Sequence, residues 1–196
     1  MAPQSIIINY TPDKRLSLVD ETSRTPLYHV KVSRHTPQME MIRLSPSPSY
    51  NEFFPDNEEA YYKSRVCTSQ FKMTSLDVRL RIREHHDIVL KRQGLLSTSY
   101  SFISPALSSS ALTWETNWTQ GNLGDFRLVV EAENESARKE LAHFRNTVFS
   151  NKQVGTFEMD SDLDQLVKDE VVISGLATLA MLQSMNLAGM VMFGGS

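Results

Sequence analysis

The sequence of 196 residues is poor in the residue types on which several classes of protein depend. Cys67 is the single cysteine, which excludes an intramolecular disulfide and a cysteine-rich zinc site. Only four glycines precede Gly175, and none lies in a phosphate-binding loop or a Gly-x-Ser-x-Gly turn. No clustered set of titratable residues stands out either. The sequence therefore predicts a non-enzymatic protein without cofactor, metal site or catalytic residues.

Charge of one sign is not in excess, since 20 basic and 23 acidic residues give a formal charge of −3. Proteins dedicated to nucleic acid usually carry a strong basic excess, so a nucleic-acid partner is not expected. The first fifteen residues lack the basic start and the long apolar core of a secretory signal. These features and the lone cysteine predict a cytoplasmic location.

Charged residues are missing altogether from the last 26 positions, Val171 to Ser196. Just before them, Ser161 is followed three residues later by Asp164, a pattern typical of a helix start with serine as the N-cap. We therefore predict a helix near residues 162–193. Its few polar residues, such as Ser174, Gln183 and Asn186, do not share one face, so the helix is apolar all round.

Most of the preceding chain shows the period-two pattern of β-strands. Leu76–Arg83 alternates apolar and charged residues strictly, which places the leucines, the valine and the isoleucine on one face. Eleven further segments of five to eight residues show strand patterns: 5–9, 15–19, 28–32, 39–43, 64–71, 87–92, 97–103, 111–118, 125–131, 139–146 and 153–159. Turn-forming residues separate them, as in a β-meander.

The apolar helix has three possible environments: a barrel interior, a membrane or a partner chain. Val171–Phe193 would be about 35 Å long, enough for a tail anchor across a bilayer core of about 30 Å. No basic residue follows it, however, and amides lie near its centre. A sheet of about twelve strands leaves a lumen that such a helix fills. The predicted fold is mainly β (α+β), an antiparallel barrel of about twelve strands enclosing a C-terminal hydrophobic α-helix in a single domain of residues 1–196.

Short segments in roughly the last 85 residues carry a family resemblance. They are Leu112-Thr113-Trp114, Phe126-Arg127-Leu128, Ala142-His143-Phe144, Gly155–Met159 and the run from Leu163 to Leu182, with Val172–Ala177 as the best match. With the strand pattern, they resemble the Tubby C-terminal-like superfamily, which includes LURP-one-related proteins and phospholipid scramblases, and its uncharacterised fungal members in particular. The resemblance implies a barrel around a central helix. Tubby-like proteins include phosphoinositide binders, but their basic motif has no counterpart here, so no site residue is carried over.

A group of basic residues provides the candidate ligand site. Arg79, Arg81 and Arg83 lie on one face of the predicted strand 76–83, and Lys91 and Arg92 follow on the next strand. Guanidinium groups bind phosphate in a bidentate manner, so this ridge predicts binding of an anionic phospholipid headgroup at a membrane surface. The alternative is an ordinary solvated outer face of a half-buried strand.

A second functional alternative rests on the loop near residues 45–62. It begins Ser45-Pro46-Ser47-Pro48, and Ser45 or Ser47 could be a proline-directed phosphorylation site that controls binding of a protein partner. A tail-anchored membrane protein is the third alternative. Neither the identity of a ligand nor that of a protein partner follows from the sequence.

Overall fold

Twelve strands and one long helix make up the computed structural model, which describes residues 3–13, 15–33, 35–44, 65–72, 75–83, 86–94, 97–116, 125–131, 138–147, 150 and 152–193, with helix side chains as far as Gln183. The strands are β1 (Gln4–Tyr10), β2 (Arg15–Asp20), β3 (Pro26–Val32), β4 (Met39–Arg43), β5 (Arg65–Lys72), β6 (Asp77–Ile82), β7 (His86–Arg92), β8 (Tyr100–Ser104), β9 (Ser110–Thr116), β10 (Phe126–Val130), β11 (Lys139–Asn146) and β12 (Gln153–Met159). A 3₁₀ turn covers Pro105–Leu107, and the helix α1 is Gln165–Phe193.

The strands form a closed antiparallel barrel in which each strand pairs with its neighbours in the sequence. β1 and β12 complete the ring, with Ile6 paired to Phe157 and Ile8 to Gly155. Closure leaves no unpaired sheet edge. The twelve-stranded antiparallel barrel predicted from the strand pattern is confirmed.

Side chains alternate between the lumen and the outer surface, as period two requires. On β6, for example, Val78, Leu80 and Ile82 are buried, whereas Arg79 and Arg81 between them are exposed. The inward side chains of all twelve strands belong to one hydrophobic core that they share with α1. The core therefore lies inside the barrel, around the helix.

The helix α1 occupies the lumen. Every residue from Val171 to Leu179 is buried, which explains why this stretch is apolar on all faces. The enclosed helix is thus the environment that the structure shows for these residues. The described part of the chain contains no helix that is long and apolar enough to cross a bilayer.

The start of α1 differs from the prediction. The helix begins at Gln165, and the Asp164 carboxylate accepts a hydrogen bond of 2.7 Å from the Leu166 amide, so Asp164 is the capping residue. The prediction of Ser161 as the N-cap was wrong, because residues 161 and 162 form a turn before the helix. The Ser161 carbonyl instead accepts from the Lys168 ammonium group at 2.9 Å.

An aromatic cluster holds one side of the helix. The rings of Trp114, Phe126, Phe144 and Phe157 contact one another, with centroids 4.7–6.2 Å apart. Trp114 also donates its indole N–H to the Ser174 hydroxyl on α1 at 2.9 Å. Helix and strands β9–β12 are therefore joined by aromatic packing and by one buried hydrogen bond.

Candidate functional site

The five predicted basic residues lie in three different places. Arg79 and Arg81 on β6 and Lys91 on β7 are exposed and project from the outer surface of the barrel. Arg83 lies beyond the end of β6, and Arg92 ends β7 at the opposite end of the barrel. The structure thus brings three of the five together.

Arg83 does not continue the outer row because it is no longer part of the strand. Its φ of 48° is in the left-handed region, which breaks the alternation of side chains. Its guanidinium group reaches the buried Asp169 carboxylate on α1, with an Nη2–Oδ2 distance of 3.0 Å. The expectation that Arg83 shares a face with Arg79 and Arg81 was wrong.

Arg92 has a local structural contact. Its Nε donates to the Ser97 carbonyl oxygen, which fixes the turn between β7 and β8. Residues 88 and 90 of the same strand are buried, so residue 92 follows the inward phase of β7 and is half-buried. This position separates it from Lys91.

Lys72 adds a cation that sequence reasoning missed. It is the last residue of β5, is exposed, and pairs in register with Asp77, two positions before Arg79. We call Lys72, Arg79, Arg81 and Lys91 the outer basic face. Its four cations surround two acids, Asp77 and Asp87, so the local charge is +2 on a chain of −3.

Pairing of charges distinguishes this face from the rest of the wall. Within the outer basic face, Arg81 forms an exposed ion pair with Asp87 at 3.0 Å, whereas Lys72, Arg79 and Lys91 have no ion pair within the described residues. On β10 and β11, in contrast, each outward cation has an acidic partner: Arg127 with Glu115, Arg145 with Glu158 and Lys139 with Asp160. The outer basic face therefore has positive charge to offer to an external anion.

A buried polar cluster closes the end of the barrel where α1 begins. The Asp169 side chain is fully buried, and its Oδ1 accepts from the Tyr28 hydroxyl at 3.0 Å and from Gln165 Nε2 at 3.2 Å. Its Oδ2 accepts from Arg43 and Arg83, which reach it from β4 and from the turn after β6. We call these five residues the base cluster. Four donors around one carboxylate compensate for the loss of water there.

Glu170 is the second buried acid at this end. It accepts hydrogen bonds from the Ser104 hydroxyl and from the Ala106 amide, the latter at 3.2 Å. Burial raises the pKa of the Glu170 carboxyl, although both donors act in the opposite direction. In the sequence, Asp169 and Glu170 resemble the charged flank of an apolar helix, and only the fold places them inside the barrel.

The neighbouring groups do not form a reactive centre. Burial, and then the negative charges of Asp169 and Glu170, raise the pKa of the Cys67 thiol far above its usual range, which suppresses the nucleophilic thiolate. Cys67 is 1% exposed, as predicted for a small core residue. Among the described residues, no group of three or more metal-ligating side chains comes together.

Two pockets lie between α1 and strands β1–β4, at opposite ends of the barrel. The one beside the base cluster has a volume of about 190 Å³ and is lined by Gln4, Tyr28, Arg43, Gln165, Lys168 and three apolar side chains. We call it the base pocket. The other, of about 410 Å³, is mainly apolar and includes Leu16, Met39 and Leu179. The helix backbone approaches β5, β6 and β8, so space remains on the β1–β4 side.

The predicted loop 45–62, with Ser45 and Ser47, lies outside the described residues. Comparison of the chain with protein-family models, with curated proteins and with solved structures finds no match. The Tubby-like resemblance stays a prediction. The chemistry of the site therefore has to be argued from its own residues.

Proposed function

We propose that the protein is a non-enzymatic, cytoplasmic barrel of the Tubby-like type that binds anionic phospholipid at a membrane surface through the outer basic face. The observation that supports this is the contrast in pairing described above. Lys72, Arg79 and Lys91 keep their full charge in solution, whereas the cations of β10 and β11 are balanced by acids.

The geometry suits a flat charged surface. Arg79 and Lys91 are on adjacent strands of one wall, and Arg79 lies opposite Gln70 and Val89 in register, with no acid directly beside it. Polybasic patches of this kind attract anionic headgroups, and each basic residue near the surface adds to the affinity. Because such binding is electrostatic, it weakens as salt increases.

Sedimentation with vesicles tests the proposal. The wild-type protein should sediment with vesicles of phosphatidylcholine and phosphatidylserine, and should stay in solution with phosphatidylcholine alone. The triple variant Arg79→Ala/Arg81→Ala/Lys91→Ala should bind at least about tenfold more weakly, since three cations are lost.

A matched control removes the same charge elsewhere. The triple variant Arg127→Ala/Lys139→Ala/Arg145→Ala also loses three exposed cations, but these are paired with acids on β9, on β12 and in the turn after β12. It should keep at least half of the wild-type binding. Equal loss in both triple variants would mean that only net charge matters, and would contradict a specific face.

A further inference from the structure

The base pocket contains two buried polar atoms without a hydrogen-bond partner. One is the donor Nε of Arg43, and the other is the acceptor Oε1 of Gln4. A buried polar atom without a partner costs free energy, so such atoms are rare in folded proteins. Two of them, one donor and one acceptor, around a single pocket indicate that a ligand completes the site.

The orientation of Gln4 is fixed by its neighbour. Its Nε2 donates to the Asp20 carboxylate at 3.0 Å, and a carboxylate can only accept. The Gln4 oxygen is therefore the atom left over, and it requires a donor such as a hydroxyl group. Asp20 itself does not line the pocket.

The charge of the pocket favours an anion. Arg43 and Lys168 both line it, and no acidic side chain does so among the described residues. The nearest acid, Asp169, is shared between Arg43 and Arg83, so the two guanidinium groups outnumber it. The Lys168 ammonium group donates to the Ser161 carbonyl oxygen and has two further N–H groups for a ligand.

We propose that the base pocket binds a small anion that also carries hydroxyl groups, a class that includes the phosphorylated polyols. Lys168 and Arg43 contact the anionic oxygens, and Gln4 accepts from a hydroxyl group of the ligand. About 190 Å³ has room for such a molecule but not for a lipid with its chains. This site is separate from the outer basic face and does not depend on it.

Titration calorimetry with glycerol 3-phosphate tests the pocket. The wild-type protein should bind it with a Kd below about 1 mM, and Lys168→Met should weaken binding at least about tenfold while keeping the aliphatic stem. Lys31→Met, a change at an exposed lysine on β3 away from the pocket, is the control and should bind as the wild type does. Absence of wild-type binding, or equal affinity in Lys168→Met, would overturn the proposal.

Two further probes separate the roles of the side chains. Sulfate has the anionic oxygens but no hydroxyl donor, so Gln4→Leu should weaken glycerol 3-phosphate binding and leave sulfate binding unchanged. Equal loss for both probes would contradict the role given to Gln4. Arg43 is not a suitable test because it also holds Asp169.

The same headgroup chemistry exists in free molecules and in lipids. Vesicles of phosphatidylglycerol, offered to the triple variant that lacks the outer basic face, distinguish them. Binding that falls on adding Lys168→Met assigns the pocket to a lipid headgroup, whereas binding of soluble glycerol 3-phosphate alone assigns it to a free phosphorylated polyol. Failure of both in a protein that still binds phosphatidylserine through its outer face would refute only the pocket.

Discussion

Gly175 on α1 lies directly against the ring of Phe157 on β12. A β-carbon at Gly175 would be 2.6 Å from two carbons of that ring and 3.1 Å from the Trp114 ring. Contacts below 3.0 Å do not occur without a shift of the neighbours. The absence of a side chain at this position thus sets how closely the helix approaches the aromatic wall.

Gly175→Ala should destabilise the protein, although the same change raises stability in most helices. The added methyl group must displace the Phe157 ring, which is itself fully buried, and overpacking of this kind costs about 1–3 kcal/mol. Urea denaturation followed by tryptophan fluorescence measures the free energy of unfolding. Gly94→Ala is the control, because a β-carbon there has its nearest neighbour at 3.9 Å. A Gly175→Ala variant as stable as the wild type would contradict this packing.

Two hydroxyls on the same side of α1 differ in their partners. Ser174 accepts from the Trp114 indole, whereas the buried Thr178 hydroxyl has no partner in the structure. Ser174→Ala leaves the indole N–H unsatisfied and should cost about 1–3 kcal/mol of unfolding free energy. Thr178→Val keeps the shape and removes an unpaired group, so it should leave stability unchanged or raise it. Thermal unfolding of both variants checks the prediction, and equal losses would refute it.

The sequence was a good guide to the barrel because its signals are local. Alternation such as that of Leu76–Arg83 defines a strand, and closure follows from the number of strands and from a helix that needs burial on all sides. Gly175 illustrates the same point, since small residues in an apolar helix indicate close packing before any contact is known.

The site could be predicted only in part, because it depends on geometry between distant residues. Arg83 follows the strand pattern in the sequence but adopts a left-handed φ, which turns it toward Asp169, 86 positions later. Lys72 joins Arg79 only through the register of β5 and β6. Gln165 and Asp169, four residues apart on one helix face, were the available hint of the base cluster.

The Asp169 carboxylate should be essential for stability. Asp169→Asn removes the charge shared by Arg43 and Arg83, and loss of one partner from a buried ion pair costs about 3 kcal/mol or more. The arginines are partly exposed, so the lower end of that range applies. Chemical denaturation at neutral pH measures the loss. Asp87→Asn removes the acid of the exposed Arg81 pair and should have no measurable effect, and similar losses in both variants would contradict this prediction.

Glu170 should make stability decrease as the pH rises. Its pKa in the folded protein is raised above the ordinary value of 4.5 by burial, so the folded state favours the protonated carboxyl. The stabilising contribution is therefore complete below about pH 4.5 and is lost as the pH rises through the folded-state pKa. The difference in unfolding free energy between wild type and Glu170→Gln should accordingly shift against the wild type between about pH 4 and about pH 8.

The comparison with Glu170→Gln isolates this carboxyl, because other groups are common to both proteins. Asp20 and Asp87, whose pKa values are lowered, add stability at higher pH in each and cancel in the difference. Ser104→Ala provides a second test, since it removes the hydroxyl that donates to the Glu170 carboxylate and lowers its pKa. The loss of stability should then extend to higher pH than in the wild type. A difference that stays constant across the pH range would show that Glu170 is solvated as in the unfolded chain.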